Sequence, residues 1–207
     1  MARAPTTRMG LLEVRGRREV AARGARLLRA KREVLAGELH RLASEVLEGR
    51  ERLDRTLARA VEALAMAAAL RGEPALEALA WNAGREIPLH VSLRRVWGVP
   101  TPAVTVPDLV RHAGERGGSV ASWGPAAAAA ARHHEEALEL LLRIASRELH
   151  LARLGVEIQA TSRRINALEQ LSLPRLTAEA ARIEGALEER DREDVVRLKR
   201  FRGRRRG

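Results

Sequence analysis

The sequence has no cysteine, no tyrosine and one phenylalanine, and aromatic residues make up only 2% of its 207 positions. Without cysteine there are no disulfides and no thiolate metal sites, so a reducing compartment is permitted but not required. With so few aromatics, the side chains that ordinarily carry much of a globular core are missing. Lysine is scarce as well, occurring only at Lys31 and Lys199, so nearly every cation is an arginine. No run approaches the roughly 20 apolar residues that span a bilayer. Arg3 and Arg8 make the N-terminus basic, but no apolar stretch follows that would form a signal-peptide core. The expectation is a soluble, cytoplasmic chain.

What is present is charge and small or linear side chains. Charged residues reach 31%, and Ala, Leu, Glu and Arg dominate. That composition with a seven-residue pattern fits a long helix or coiled coil, which buries a narrow stripe and leaves the rest wet. The net charge of +11 is uneven. Residues 1–32 hold ten Arg or Lys against Glu13 and Glu19, and residues 190–207 hold nine against Asp191, Glu193 and Asp194. The two ends together exceed the total, so the body between them is slightly acidic. If the ends meet in space they form one positive pole, which implies an acidic partner surface or nucleic acid.

From about Arg8 to Leu70 there is no proline. Leu28, Leu35, Leu39, Leu42, Val46, Leu53, Leu57, Ala60 and Leu64 recur in steps of three, four or seven, as in the buried seam of a coiled coil. Gly24 and Gly37 interrupt the pattern and are candidate points of close packing by another chain. Residues 71–125 differ: six of the eight prolines and all three tryptophans fall there. Val91-Ser92-Leu93 and Val104-Thr105-Val106 alternate as short strands do, with Gly98 and Pro100 as turn signals between them. A small irregular head is expected, with Trp81, Trp97 and Trp123 as its mini-core. Helical sequence resumes with the alanine run from Ala126. A second seam reads Leu151, Leu154, Ile158, Thr161, Ile165, Leu168, Ser172, Leu176, Ile183, Leu187, Arg190, Asp194, Leu198 and Phe201, with Pro174 predicted to kink its helix. About 60 helical residues make a rod on the order of 90 Å long. Two such rods flanking a head most simply fold back on each other. The predicted fold is all-α: an antiparallel two-helix coiled coil of residues 8–70 and 126–202, a head at 71–125 with a possible β-hairpin, and a basic tail at 203–207.

The pattern offers no catalytic chemistry. Arg116-Gly117-Gly118-Ser119 reads as a loop without the lysine or preceding strand of a phosphate-binding motif. His133-His134-Glu135-Glu136 reads as a solvated helix face, because neighbouring helix positions point roughly 100° apart and adjacent histidines do not chelate one ion. His40, His90, His112 and His150 lie at no ligand spacing. The run Glu188-Glu189-Arg190-Asp191-Arg192-Glu193-Asp194 suits ion pairs along a helix. No cofactor or metal is expected.

Three segments carry a resemblance. One is Pro5-Thr6-Thr7-Arg8-Met9 leading into Gly24 through Leu35. The second is Val96-Trp97-Gly98-Val99-Pro100. The third is Arg163-Arg164-Ile165-Asn166-Ala167-Leu168-Glu169, followed by Pro174-Arg175-Leu176, the acidic-basic run from Leu187 to Asp194, and Arg197-Leu198-Lys199. Together they resemble the family of central-stalk rotor shafts, the D subunits, of V-type and A-type rotary ATPases. The resemblance is good over about 8–70 and 155–201 and confined in the head to the surroundings of Trp97.

That resemblance implies a non-catalytic drive shaft standing in a hexamer of catalytic and non-catalytic subunits. A small central-stalk partner subunit clasps its side, and its head rests in a socket subunit on the membrane ion-carrying ring. The complex couples ATP hydrolysis or synthesis to proton or sodium transport, with this chain on the cytoplasmic side, peripheral to the membrane. Within that picture the bearing tip is expected at Arg8, Arg15, Arg17, Arg18, Arg23, Arg197, Lys199 and Arg200. The shaft motif is Arg163, Arg164, Asn166, Glu169 and Pro174, and the head motif Trp97, Gly98 and Pro100. Two other readings share the basic pole. A nucleic-acid-binding hairpin would lose affinity steeply with salt, though Phe201 is the pole's only stacking residue. A coiled-coil scaffold would take another helix as its partner.

Overall fold

The computed structural model describes residues 5–117 and 119–204. Its elements run α1 (Arg8–Arg71), α2 (Glu73–Asn82), β1 (His90–Val96), β2 (Val99–Thr105), a 3₁₀ turn (Ala113–Glu115), α3 (Val120–Asn166), a π-helical turn (Ala167–Ser172) and α4 (Leu173–Arg204). The fold is all-α with one two-stranded antiparallel sheet in the middle of the chain. Arg3 and residues 205–207 of the basic tail lie outside the described residues, as does Gly118.

The chain divides into two compact units: residues 1–34 with 158–207, and residues 35–157. In the first, the start of α1 packs against α4. Val14, Ala180 and Ile183 are buried together, with Leu11, Leu176 and Leu187 around them. Arg8 faces Asp191, Arg15 faces Glu184 and Arg29 faces Glu169. Later residues of one helix meet earlier residues of the other, so the pairing is antiparallel. Every described side chain beyond Leu187 is exposed, because α1 begins at Arg8 and leaves the end of α4 without an opposite helix. The expected seam positions Leu198 and Phe201 are therefore not buried, Phe201 being 72% exposed.

The π turn answers the predicted kink. Pro174 has no N–H to give, and the Leu173 N–H reaches back five residues to the Leu168 carbonyl. Leu168, Ser172, Leu176 and Ala180 are four apart throughout, wider than the seven-residue repeat allows. A π turn absorbs the surplus and keeps all four on the seam side, three of them half-buried and Ala180 buried.

In the second unit Val46, Leu53, Ala137 and Ile144 form one buried cluster, flanked by Leu140. Ala67, Trp123, Ala127 and Ala130 form another, against which Leu76 and Leu79 of α2 pack. The seam of α1 here runs Val46, Leu53, Ala60, Ala67, in steps of seven. Leu57 and Leu64, expected in it, are exposed. They sit roughly 40° round the helix from the buried row, and the alanines at 60 and 67 leave too little depth to reach them. Small residues on both helices allow axes near the lower end of the roughly 8–10 Å packing range. Gly49 marks a point of close approach: a Cβ there would lie 3.1 Å from Ile144. Gly37, expected as such a point, has nothing within 4 Å, and at Gly24 a Cβ would meet only Leu168, at 4.0 Å.

The main run of α3 starts at Pro125, after a break at Gly124 (φ 60). Proline is suited to the first helical position, where its missing N–H is not needed.

The seam's extent is testable by substitution within it and beyond it. Ile183→Ala should cost about 3 kcal/mol in urea unfolding. Phe201→Ala should stay within about 0.5 kcal/mol of the parent.

Candidate functional site

The basic residues proposed as a bearing tip all lie in the first unit, and all eight are exposed. Several are already neutralised by their own chain. Arg15 pairs with Glu184 at 2.6 Å, Arg17 with Glu13, Arg23 with Glu19, and Arg197 with Glu193 and Asp194. Arg8 reaches Asp191 only at 3.8 Å, while Arg190 donates to the Thr6 carbonyl at 3.1 Å. Together these set the start of the described chain beside Arg190 and Asp191, short of the end of α4. Arg18, Lys199 and Arg200 make no ion pair among the described residues.

The shaft motif is less uniform. Glu169 is half-buried and pairs with Arg29 at 2.5 Å, joining two of the three segments singled out in the sequence. Arg163, Arg164, Asn166 and Pro174 point to solvent.

In the head, β1 and β2 pair antiparallel with Val96 opposite Val99. Trp97 and Gly98 form the two-residue loop, and both have positive φ (54 and 81). That is the backbone a tight hairpin turn demands, natural for Gly98 and uncommon for a tryptophan. Pro100 and Pro102 sit opposite Arg95 and Leu93, at alternate positions of β2. In a hairpin closed by two residues these positions direct their backbone away from the partner strand, so no ladder bond is lost. The outer edge of β2 lies against α3, where Ser146 Oγ accepts from the Val104 N–H and donates to the Pro102 carbonyl, each at 3.4 Å.

The tryptophans do not form one core. Trp123 is buried and donates its indole N–H to the Gly117 carbonyl at 2.8 Å, but Trp81 is 89% and Trp97 63% exposed. Trp81 lies on the outer face of a ten-residue helix that buries none of its residues, and Trp97 caps a two-residue turn. Neither has a layer above it. Their exposure leaves both free for a partner.

Two features have no clear sequence signal. The first is an ion cluster around one buried arginine. Glu135 accepts from Arg111 at 2.7 Å and from Arg116 at 2.8 Å, and Arg116 is only 3% exposed. Arg111 also donates to the Ala83 carbonyl, and Arg116 to the Arg111 carbonyl. Glu135 is therefore not part of a solvated face, and Arg116 is anchored. Gly117 (φ 77) follows it, where a Cβ would come within 2.7 Å of the Asn82 carbonyl oxygen. Burial pushes the Glu135 carboxyl up, but hydrogen bonds from Arg116 and Arg111 outweigh it and hold it below the usual carboxylate value. Its neighbours are local, with His133 on Glu136 and His134 on the Ala130 carbonyl. The second feature is an asymmetry of flanks. On one side of the second unit's helix pair Leu47, Leu57, Val61 and Leu64 of α1 and Leu138 and Leu141 of α3 are exposed. An antiparallel pair related by a two-fold axis keeps corresponding flanks on one side, and Arg50 bridges to Glu148 there. The other side is largely charged, with Glu45, Arg52, Arg59, Arg143 and Arg147.

The family model for the ATP synthase D subunit matches residues 10–203. The chain belongs to that family. It is 74% identical to the V-type ATP synthase D subunit of Anaeromyxobacter sp. (strain Fw109-5) over 99% of this chain and 95% of the relative. Identity is 38% to the A-type ATP synthase D subunit of Pyrococcus furiosus, covering 94% and 91% of the two chains. To the V-type ATP synthase D subunit of Thermus thermophilus it is 35%, covering 98% and 89%. This chain is thus a subunit of a V/A-type ATP synthase complex. No helix among the described residues is long and apolar enough to cross a membrane.

The ion cluster makes a prediction about pH. Glu135→Gln leaves the buried Arg116 and the half-buried Arg111 without a counter-ion and should destabilise by about 3 kcal/mol near neutrality. Because the folded carboxyl is held low, its contribution is present above the ordinary value of 4.5 and disappears as pH falls through the lowered folded value. In urea titrations the parent should lose stability over that acid range, and the gap to Glu135→Gln should narrow.

Proposed function

We propose that this chain is the non-catalytic rotor shaft of its complex, coupling ATP hydrolysis or synthesis in a catalytic hexamer to proton or sodium transport by rotation. The observation that carries the reading is the family match across nearly the whole chain, joined to a first helix that runs unbroken from Arg8 to Arg71. A shaft transmits torque only if it resists bending and unwinding, and paired helices with a continuous ladder of backbone bonds supply that. On this reading residues 8–70 and 126–202 are the shaft, 71–125 the head and 203–207 a basic tail.

The tip turns in a bearing of catalytic and non-catalytic subunits. A bearing needs attraction without deep interlocking, which exposed cations facing carboxylates provide. Arg18, Lys199 and Arg200 are best placed for it, since Arg15, Arg17, Arg23 and Arg197 are engaged at home. The apolar flank of Leu57, Val61, Leu64, Leu138 and Leu141 is the seat for the small central-stalk partner that clasps the shaft's side. The head meets the socket subunit on the membrane ring, and the chain works on the cytoplasmic face without entering the bilayer.

Reconstitution tests the reading. The purified chain should enter the hexamer of catalytic and non-catalytic subunits and change its ATP turnover; a chain that does neither is not the shaft. Removing residues 197–207 should weaken hexamer binding at low salt and matter less at high salt. Undiminished low-salt binding would remove the basic tip from the bearing.

A further inference from the structure

The hairpin has one covered edge and one bare edge. Its two-residue loop sets the parity of the ladder: His90, Ser92, Arg94 and Val96 direct their backbone toward Thr105, Ala103, Thr101 and Val99. The positions of Pro100 and Pro102 agree, since they fall where β2 directs nothing toward β1. By the same parity Val91, Leu93 and Arg95 direct their N–H and C=O groups outward from β1. Among the described residues nothing covers that edge: six of the seven residues of β1 are exposed, Leu93 being 78% exposed. Exposed strands are usually blunted by proline, a bulge or a covering element. Here the prolines are on β2, whose outer edge α3 already covers.

We propose that the outer edge of β1 accepts an added strand from a partner protein, an extended segment in which apolar residues alternate with acidic ones. Backbone pairing at Val91, Leu93 and Arg95 supplies the register, and side chains supply the choice. Val91 and Leu93 share one face with Pro102 and Val104 opposite, so the added strand places apolar side chains beside them. Arg94 and Arg95 are exposed, and no aspartate or glutamate occurs from Ile87 to Pro107. The added strand therefore carries acids. A second copy of this hairpin is disfavoured, as it would bring two more arginines and no carboxylate to the edge. A lipid surface is disfavoured because an open row of N–H and C=O groups finds no partners in hydrocarbon, whatever Trp97 at the tip favours. The proposal rests on the hairpin's own geometry and holds whether or not the chain rotates.

The test uses the full-length chain labelled for NMR and two synthetic peptides, one alternating Glu with Val and the other Lys with Val. With the acidic peptide the amides of Val91, Leu93 and Arg95 should shift and exchange roughly tenfold more slowly. Those of Ser92, Arg94 and Val96, already paired to β2, should change little. The Lys peptide should leave all six unmoved. Leu93→Pro removes an outward N–H without touching the ladder and should abolish the effect while Ser92 and Arg94 stay protected. Arg94→Glu with Arg95→Glu should transfer the preference to the Lys peptide. Three unmoved amides with the acidic peptide, equal responses to both peptides, or full binding by Leu93→Pro would overturn the proposal. So would protection of the same edge by phosphatidylserine vesicles or by dimerisation in place of the acidic peptide.

Discussion

Each of the two units depends on a helix-helix seam that is very narrow for the length of helix it must hold. Two antiparallel helices share only one apolar row each, and in the second unit much of that row is alanine. Small side chains bring little buried area per layer, so stability comes from close approach and from repetition. The close approach has its own requirements. Gly49 must be a glycine or Ile144 must move, and surplus residues in the seam must be taken up by the π turn before Pro174.

A narrow seam leaves most of the surface available, and that surface is sorted by chemistry. The first unit is crowded with arginines, many balanced by nearby carboxylates. The helix pair of the second unit has one apolar and one charged flank. The head exposes two tryptophans and a bare strand edge, while Trp123 and the Glu135 cluster hold its base together. Under the proposed role as a rotor shaft, this segregation would let different neighbours meet chemically different surfaces.

Much of this was legible in the sequence because it is periodic or compositional. A proline-free stretch with apolar steps of three and four announced α1, and the alternation around Val91 and Val104 announced the strands. The pairing of Arg29 with Glu169 joins two of the blocks that carry the family resemblance. What was not legible depends on depth or on distance along the chain. Leu57 and Leu64 keep the right spacing but lie beside alanines that draw the helices together elsewhere. Leu198 and Phe201 continue the period after the opposite helix has ended. Trp81 and Trp97 are large and apolar, and only the absence of a covering layer decides their exposure. Glu135 meets Arg111 and Arg116 across separations of 24 and 19 residues, which no local pattern encodes.

The absence of cysteine makes rotation directly measurable. Thr105→Cys creates a single thiol in the head to which a bead can be attached, with the catalytic hexamer fixed to a surface. On adding ATP the bead should turn in one direction, and stop when ATP is withdrawn. A hexamer that hydrolyses ATP with the chain bound while the bead stays still would contradict the account.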